Sequence, residues 1–211
     1  MMLHLAPTAA ALQHAGVAYA PQIAASAARY SLDPALLAAV AAQETGGPGS
    51  NAGRNIDGDN GHGRGLFQID DRFHAFAASG AAMDPAANAE YAARMLRGLL
   101  DRYHGNVRAA LQAYNAGDPR AVGTQTRWGD GALLGYADSV LRHERRIAGD
   151  AGPAAGTART TEAASPSRLP IPAPPPLPMP PAWASGNKRS SAESTDNDGT
   201  GNAALLDGEQ A

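Results

Sequence analysis

The sequence predicts a mainly α-helical domain with a small β excursion, followed by a disordered, proline-rich tail. Two Asp-Pro pairs each precede a run of apolar residues at helical spacing. A segment rich in Gly, Asn and Asp separates these two runs and favours turns over helix. From residue 149 onward the chain carries 10 of its 16 prolines and few large apolar residues. Such a composition cannot bury enough apolar surface to fold.

The helix boundaries follow from capping residues. An N-cap Asp followed by Pro begins one helix at Asp33-Pro34 and another at Asp84-Pro85, and Gly46-Gly47-Pro48 ends the first of these. Apolar spacing and flanking Gly, Pro or Asn residues predict further helices over about 21–30, 106–117 and 132–147.

The β excursion is expected between the two Asp-Pro helices. Residues 46–63 are predicted to be loop and turns, because Gly, Asn and Asp dominate them. Residues 64–70, RGLFQID, alternate loosely between apolar and polar and are flanked by turn formers. This pattern predicts a short strand or extended segment.

The chain therefore divides into an N-terminal leader segment at 1–19, one folded domain at 20–148 and a disordered tail at 149–211. Within the tail, residues 170–181 contain eight prolines in twelve positions, which favours a polyproline II rod. A spacer is the preferred interpretation of this rod, and a recognition motif is the alternative.

Charge and composition exclude several classes of partner. Residues 1–148 contain 13 Arg and 13 Asp or Glu, and no basic stretch carries the aromatic residues of a nucleic-acid groove. Without cysteine the chain has neither disulfides nor thiolate metal sites. No metal or cofactor is predicted, and a monomer is expected.

The sequence shows no clear targeting or membrane segment. The first 16 residues lack the charged start of a secretory signal, and no apolar run could span a bilayer.

Glu44 is the first candidate for chemistry. It follows a helix rich in Ala and Leu and precedes two glycines. The partial negative charge of a helix C-terminus and burial against apolar neighbours would both be expected to raise the pKa of its carboxyl group. A carboxyl group that stays protonated near neutral pH can protonate a glycosidic oxygen. Taken alone, an exposed glutamate at a helix end is the simpler interpretation.

The segment DNGHGRGLFQIDDRFH, at residues 59–74, changes this balance. Its glycines permit sharp turns or close approach of a ligand to the backbone. Gln68 offers a donor and an acceptor to a sugar, and Asp59 and Asp70 bracket it with carboxylates. Inverting glycosidases use such a second carboxylate to activate water. The alternative is a calcium loop, but the bidentate glutamate of an EF-hand is missing.

Three blocks of sequence occur in a diagnostic order: LLAAVAAQETG, GDNGHGRGLFQIDDRFH and AYNAG. Together they resemble the signature blocks of goose-type lysozymes and soluble lytic transglycosylases. The resemblance covers about residues 20–147 and implies a lysozyme-like helical fold. It also implies cleavage of the β-1,4 bond between N-acetylmuramic acid and N-acetylglucosamine in peptidoglycan, in the periplasm or cell wall. Phe67 replaces the usual Met of the second block.

The resemblance also implies roles for individual residues. Glu44 would be the catalytic acid, and Asp59 and Asp70 would be catalytic residues around the attacking water. The expected substrate-binding residues are Gln68, Tyr114, Asn115, Arg72 and His74. Retention of both aspartates tilts the prediction slightly toward hydrolysis. The alternative is lytic transglycosylation, in which Glu44 acts alone as acid and then base and leaves 1,6-anhydro ends.

Two further interpretations belong to other classes. The chain could be a non-catalytic glycan-binding module, or a component of a secretion apparatus or virion whose partner contacts the tail. Trp128 is predicted either to stack on a sugar ring or to anchor its own Gly- and Thr-rich loop. The sequence does not indicate an export route.

Overall fold

A computed structural model of the chain describes residues 8–149, and within them the fold is mainly helical, as predicted. The helices are α1 (Ala9–His14), α2 (Ala20–Arg29), α3 (Pro34–Ala41), α4 (Pro85–Arg102), α5 (Val107–Ala116) and α6 (Tyr136–Ile147). A π-helical turn, Ala42–Gly46, continues α3, and short 3-10 turns lie at Asp59–Gly61, Ala75–Ala78 and Gly80–Met83. The strands are β1 (Ile56–Gly58), β2 (Gly63–Gly65), β3 (Ile69–Asp70), β4 (Thr126–Arg127) and β5 (Leu133–Leu134). The predicted tail, apart from residue 149, lies outside the described residues.

The predicted caps begin the helices as expected. The Asp33 carboxylate accepts a hydrogen bond from the backbone N–H of Ala35 at 2.7 Å, and α3 starts at the following proline. Asp84 caps α4 in the same way through the N–H of Ala87 at 2.8 Å. None of the helices in residues 8–149 combines the length and apolar character needed to cross a membrane.

Residues 8–19, for which the sequence predicts a leader segment, form α1 and a turn that pack on the domain. The Thr8 side chain caps α1, and Leu12 and Val17 are buried. The Asn51 side chain donates a hydrogen bond to the Ala15 carbonyl at 2.9 Å. The helical core therefore includes residues before the boundary expected at 20.

Helix α3 lies at the centre of the core. All eight of its residues are buried, and it contacts α1, α2 and α6. A helix that is apolar on every side is stable only when other elements surround it. The π turn that contains Glu44 therefore follows directly from a helix in the middle of the domain.

The β excursion is larger than predicted. Strands β1, β2 and β3 form an antiparallel sheet in that order, with Ile56 opposite Gly65 and Gly63 opposite Asp70. The predicted strand at 64–70 is split into β2 and β3 by a turn. Strand β1 lies within the segment predicted to be loop, because its partner is supplied by a later part of the chain.

The last helix starts four residues later than predicted. Residues 133 and 134 were expected on its apolar face, but they form β5, which pairs with β4 in a hairpin. Two hydrogen bonds close the turn. The Trp128 N–H donates to the Ala132 carbonyl and the Gly131 N–H donates to the Trp128 carbonyl, both at 2.8 Å. Leu133 is 50 % exposed. Hairpin pairing consumes the backbone groups that a helix would need, so α6 begins only after Gly135.

Candidate active site

Glu44 lies in the π turn at the end of α3. The turn is closed by the Gly47 N–H, which donates to the Ala42 carbonyl at 3.0 Å. A Cβ atom at Gly46 would collide with the Ala52 carbonyl oxygen, so this close crossing of two backbones requires glycine. Glu44 itself is half-buried. Short π-helical insertions are rare and frequently occur at functional sites.

A tyrosine hydroxyl holds the Glu44 carboxyl group. The Tyr136 hydroxyl donates a hydrogen bond to Glu44 Oε1 at 2.7 Å, and the Tyr136 side chain is 1 % exposed. The Tyr114 ring is stacked beside it, with 6.5 Å between ring centroids and 14° between the planes. Burial, followed by the charge of Glu44, raises the pKa of both tyrosines well above the usual value. Both hydroxyls therefore stay protonated and available as donors.

Tyr136 was not among the predicted site residues. The sequence does place it on the buried face of α6, three to four residues from Ser139 and Val140. This spacing explains its burial but not its partner. Glu44 is 92 positions away in the chain, so only the packing of α6 against α3 brings the two groups together.

Asp59 and Asp70 are joined by one guanidinium group. Arg72 Nε and Nη2 donate to the Asp70 carboxylate at 2.9 and 2.6 Å, and Nη2 also contacts Asp59 Oδ2. The Arg72 N–H donates to Asp70 Oδ1 as well. The hydrogen bond that Arg72 donates to Asp70 is the main cause that raises the pKa of Arg72 above its usual value. The three predicted residues therefore form one ionic cluster.

Gln68 is a part of the small sheet. Its side chain is buried, its φ is 48°, and its Nε2 donates to the Ile56 carbonyl at 3.0 Å and to the Gly65 carbonyl at 2.8 Å. A Cβ atom at Gly58 or Gly63 would overlap the Gln68 amide oxygen. Both glycines thus make room for Gln68 of the same chain; of the two, only Gly63 belongs to the segment in which the sequence suggested sharp turns or close approach of a ligand.

The other predicted substrate-binding residues have protein partners. Tyr114 donates to the Phe67 carbonyl at 3.4 Å. Asn115 Oδ1 accepts from the Thr124 N–H at 2.8 Å and so ties α5 to the loop before β4. His74 is buried and lies 3.2 Å from the Tyr91 hydroxyl through Nδ1. Of this set, Tyr114 lies beside the Tyr136–Glu44 pair, and Arg72 lies in the ionic cluster.

Trp128 anchors its loop. It is buried, and its Nε1–H donates to Ser139 Oγ at 3.0 Å. His143 packs against the indole with 4.7 Å between ring centroids, and the Arg142 guanidinium lies 4.2 Å above it. Burial lowers the pKa of His143 to about 4, and the charges of Arg146 and Arg142 act in the same direction. The anchoring interpretation of Trp128 is therefore correct.

Residues 8–149 contain no group of three or more His, Asp or Glu side chains arranged to hold a metal ion. His62 pairs instead with Asp71, with 2.8 Å between Nδ1 and Oδ1.

Comparison with known proteins agrees with this architecture. A transglycosylase of Enterobacteria phage PRD1 is 33 % identical over 132 residues, which is 62 % of this chain and 44 % of the phage protein. The chain thus matches less than half of the length of that relative. No solved structure gives a significant match. The family model described as the transglycosylase SLT domain matches residues 21–130, which include Glu44 and the ionic cluster. The chain belongs to the transglycosylase SLT domain family.

Proposed function

We propose that this protein cleaves peptidoglycan glycan strands at the β-1,4 bond between N-acetylmuramic acid and N-acetylglucosamine, as a lytic transglycosylase. Membership of the family and similarity to a phage transglycosylase support this class of reaction. The observation that carries the proposal is the half-buried Glu44, whose carboxyl group accepts a hydrogen bond from Tyr136. In the same domain, Arg72 forms ion pairs with both candidate aspartates, Asp59 and Asp70.

In the first step, Glu44 acts as a general acid. It donates its proton to the glycosidic oxygen, the bond from this oxygen to C1 of the muramic acid breaks, and positive charge develops on the sugar ring. Glu44 becomes a carboxylate during this step. The Tyr136 hydroxyl donates to that carboxylate and stabilises the charge that forms there.

In the second step, Glu44 acts as a base. It removes the proton from the C6 hydroxyl of the same muramic acid, and this oxygen bonds to C1. The product carries a 1,6-anhydro ring, Glu44 regains its proton, and no water is consumed. Because the attacking hydroxyl is tethered to the reacting ring, proximity supplies much of its advantage.

The ionic cluster supports this reaction over hydrolysis. A hydrolase needs a carboxylate basic enough to deprotonate water. Asp59 and Asp70 instead face the Arg72 guanidinium, which occupies carboxylate oxygens that would otherwise bind the water. We therefore assign them to holding the segment 59–72 in shape, and the slight preference for hydrolysis drawn from their presence is reversed.

The predicted substrate-binding residues divide into two groups, those proposed to contact the sugar and those proposed to support the cleft. Arg72 is about half-exposed, so its outer surface is available to a sugar although its inner atoms bind carboxylates. Tyr114 is proposed to line the site beside Tyr136. Gln68, Asn115 and His74 are proposed to support the cleft through the protein contacts described above.

The phage origin of the relative supports a second proposal about context. A wall-cleaving component of a virion, or of a secretion apparatus that crosses the wall, would use the same chemistry. Its site of action would be the periplasm or the cell wall. A partner bound through the tail would direct the enzyme there.

The products decide the reaction. Purified peptidoglycan is digested with the wild type and with Glu44→Gln, and the fragments are analysed by mass spectrometry. We expect anhydro-muramyl ends from the wild type and almost none from the variant. Reducing ends alone would indicate a hydrolase, and binding without any product would indicate a glycan-binding module.

A further inference from the structure

We propose that Gln43 is a positioning residue that sets the direction of Glu44, by tying the π turn to both α6 and the β4–β5 hairpin. The inference rests on the proposed function of Glu44. Gln43 was not a candidate from the sequence, where it is simply the residue before the glutamate.

Gln43 lies in a chain of hydrogen bonds that runs from Trp128 to Thr126. The Trp128 Nε1–H can only donate, and it donates to Ser139 Oγ at 3.0 Å. Ser139 then donates its own proton to Gln43 Oε1 at 2.5 Å. This orients the Gln43 amide, so that its Nε2 faces Thr126 Oγ1 and donates to it at 2.9 Å. Every link agrees with the donor and acceptor capacity of its partners.

The partners of Gln43 are buried, and Gln43 itself is half-buried. Ser139 is 0 % exposed, and Trp128 and Thr126 are also buried. In such surroundings water does not readily replace a lost partner, so a broken link leaves a buried polar group unsatisfied. A network of this kind specifies one arrangement of its members.

The geometry relates this network to Glu44. Gln43 and Glu44 are consecutive, and consecutive residues on a helix do not face the same way. Both are nevertheless held by α6, Gln43 through Ser139 and Glu44 through Tyr136. Tyr136 and Ser139 are three residues apart, so they lie on the same face of α6. With two neighbouring side chains held by one helix, the rotation of the π turn about its axis is defined.

The π turn is held from two sides. On one side the Thr45 hydroxyl donates to the Leu66 carbonyl and accepts from the Arg54 N–H. On the other side Gln43 ties the turn to α6 and to the β4–β5 hairpin. Both polar atoms of the Gln43 side chain are already engaged with protein groups. Gln43 is therefore expected to affect turnover through Glu44, and to leave substrate affinity unchanged.

The test is Gln43→Met, which removes the amide and keeps the length of the side chain. A misplacement of a catalytic group by about 1 Å can cost about a hundredfold in rate. We expect kcat on peptidoglycan to fall at least about tenfold, with KM changed by less than about twofold. The matched control is Asn51→Ala, which removes a part-buried amide that bonds to the Ala15 carbonyl and takes no part in the Gln43 network. It should lower the thermal midpoint without lowering kcat at a temperature where the protein is folded.

A second pair of variants separates positioning from general destabilisation. Thr126→Val keeps the shape of the side chain but removes the acceptor, and should lower kcat. Thr126→Ser restores the hydroxyl and should recover most of the loss. If Gln43→Met keeps the wild-type kcat, or if Thr126→Ser is as impaired as Thr126→Val, the inference is overturned.

Failure of the proposed function gives a different result. If the wild type releases no anhydro ends, the proposed reaction is wrong, while the hold of Gln43 on the π turn remains measurable. Hydrogen exchange at the Gly47 N–H, which closes that turn, should be faster in Gln43→Met than in the wild type and in Asn51→Ala. Equal exchange in all three proteins would overturn the inference independently of turnover.

Discussion

Tyr136→Phe removes one oxygen atom from the candidate site and leaves its packing almost unchanged. The lost hydroxyl is the donor that lies 2.7 Å from Glu44 Oε1. The phenylalanine ring fills the same space and keeps the stacking on Tyr114. The substitution therefore tests a hydrogen bond without creating a cavity.

The magnitude follows from the charge on the partner. A hydrogen bond to a charged group contributes about 1.5–3 kcal/mol. In the proposed reaction Glu44 is neutral before proton transfer and becomes charged during it, so part of this stabilisation exists only in the transition state. If about half of it is lost, the barrier rises by about 0.8–1.5 kcal/mol, which is roughly a four- to thirteenfold decrease in kcat.

The assay is steady-state release of anhydro-muramyl fragments, with the thermal midpoint of each variant measured in parallel. The matched control is Tyr114→Phe, which loses only a longer 3.4 Å bond to a neutral carbonyl and should stay within about threefold of the wild type. A Tyr136→Phe protein that is folded and turns over at the wild-type rate would refute the reasoning, because the hydroxyl would then contribute nothing to proton transfer.

Four further outcomes are expected. Glu44→Gln cannot donate a proton and should clear peptidoglycan at least a hundredfold more slowly, within the roughly 10²–10⁴ range of general acid catalysis; wild-type clearing would exclude Glu44 as the acid. The double variant Asp59→Asn, Asp70→Asn should be less stable to heat but still release anhydro ends, whereas loss of all turnover with an unchanged thermal midpoint would support a hydrolase. His143 has its pKa lowered to about 4 from 6.5, so it is protonated more readily when unfolded. Its contribution to stability is complete above about pH 6.5 and is lost as the pH falls toward 4, at a cost of about 3 kcal/mol. The thermal midpoint of His143→Phe should fall less between pH 7 and pH 4 than that of the wild type, and an equal fall contradicts this account. A chain that ends near Asp150 should keep the wild-type thermal midpoint and activity, and a large drop in the midpoint would indicate that the tail packs on the domain.

The helix starts could be predicted because capping is a local interaction. Asp33 and Asp84 each bond to a backbone N–H two or three residues later, so the residues that decide the helix start are neighbours in the sequence. The β4–β5 hairpin was missed for the opposite reason. The pattern of Leu133 and Leu134 suits either a helix or a strand, and their pairing with Thr126 and Arg127 decides between the two.

The sequence by itself determined the mainly helical class, most helix starts and the three blocks that indicate the family. These features depend on residue types and on spacings of a few positions. The tertiary structure decided what the polar side chains do. It made Arg72 the common partner of Asp59 and Asp70, and it brought Tyr136 to Glu44 across 92 positions of chain. A hydrogen bond requires two atoms within about 3 Å. Spacing along the chain does not specify that distance between separate elements, which depends on how their buried faces pack.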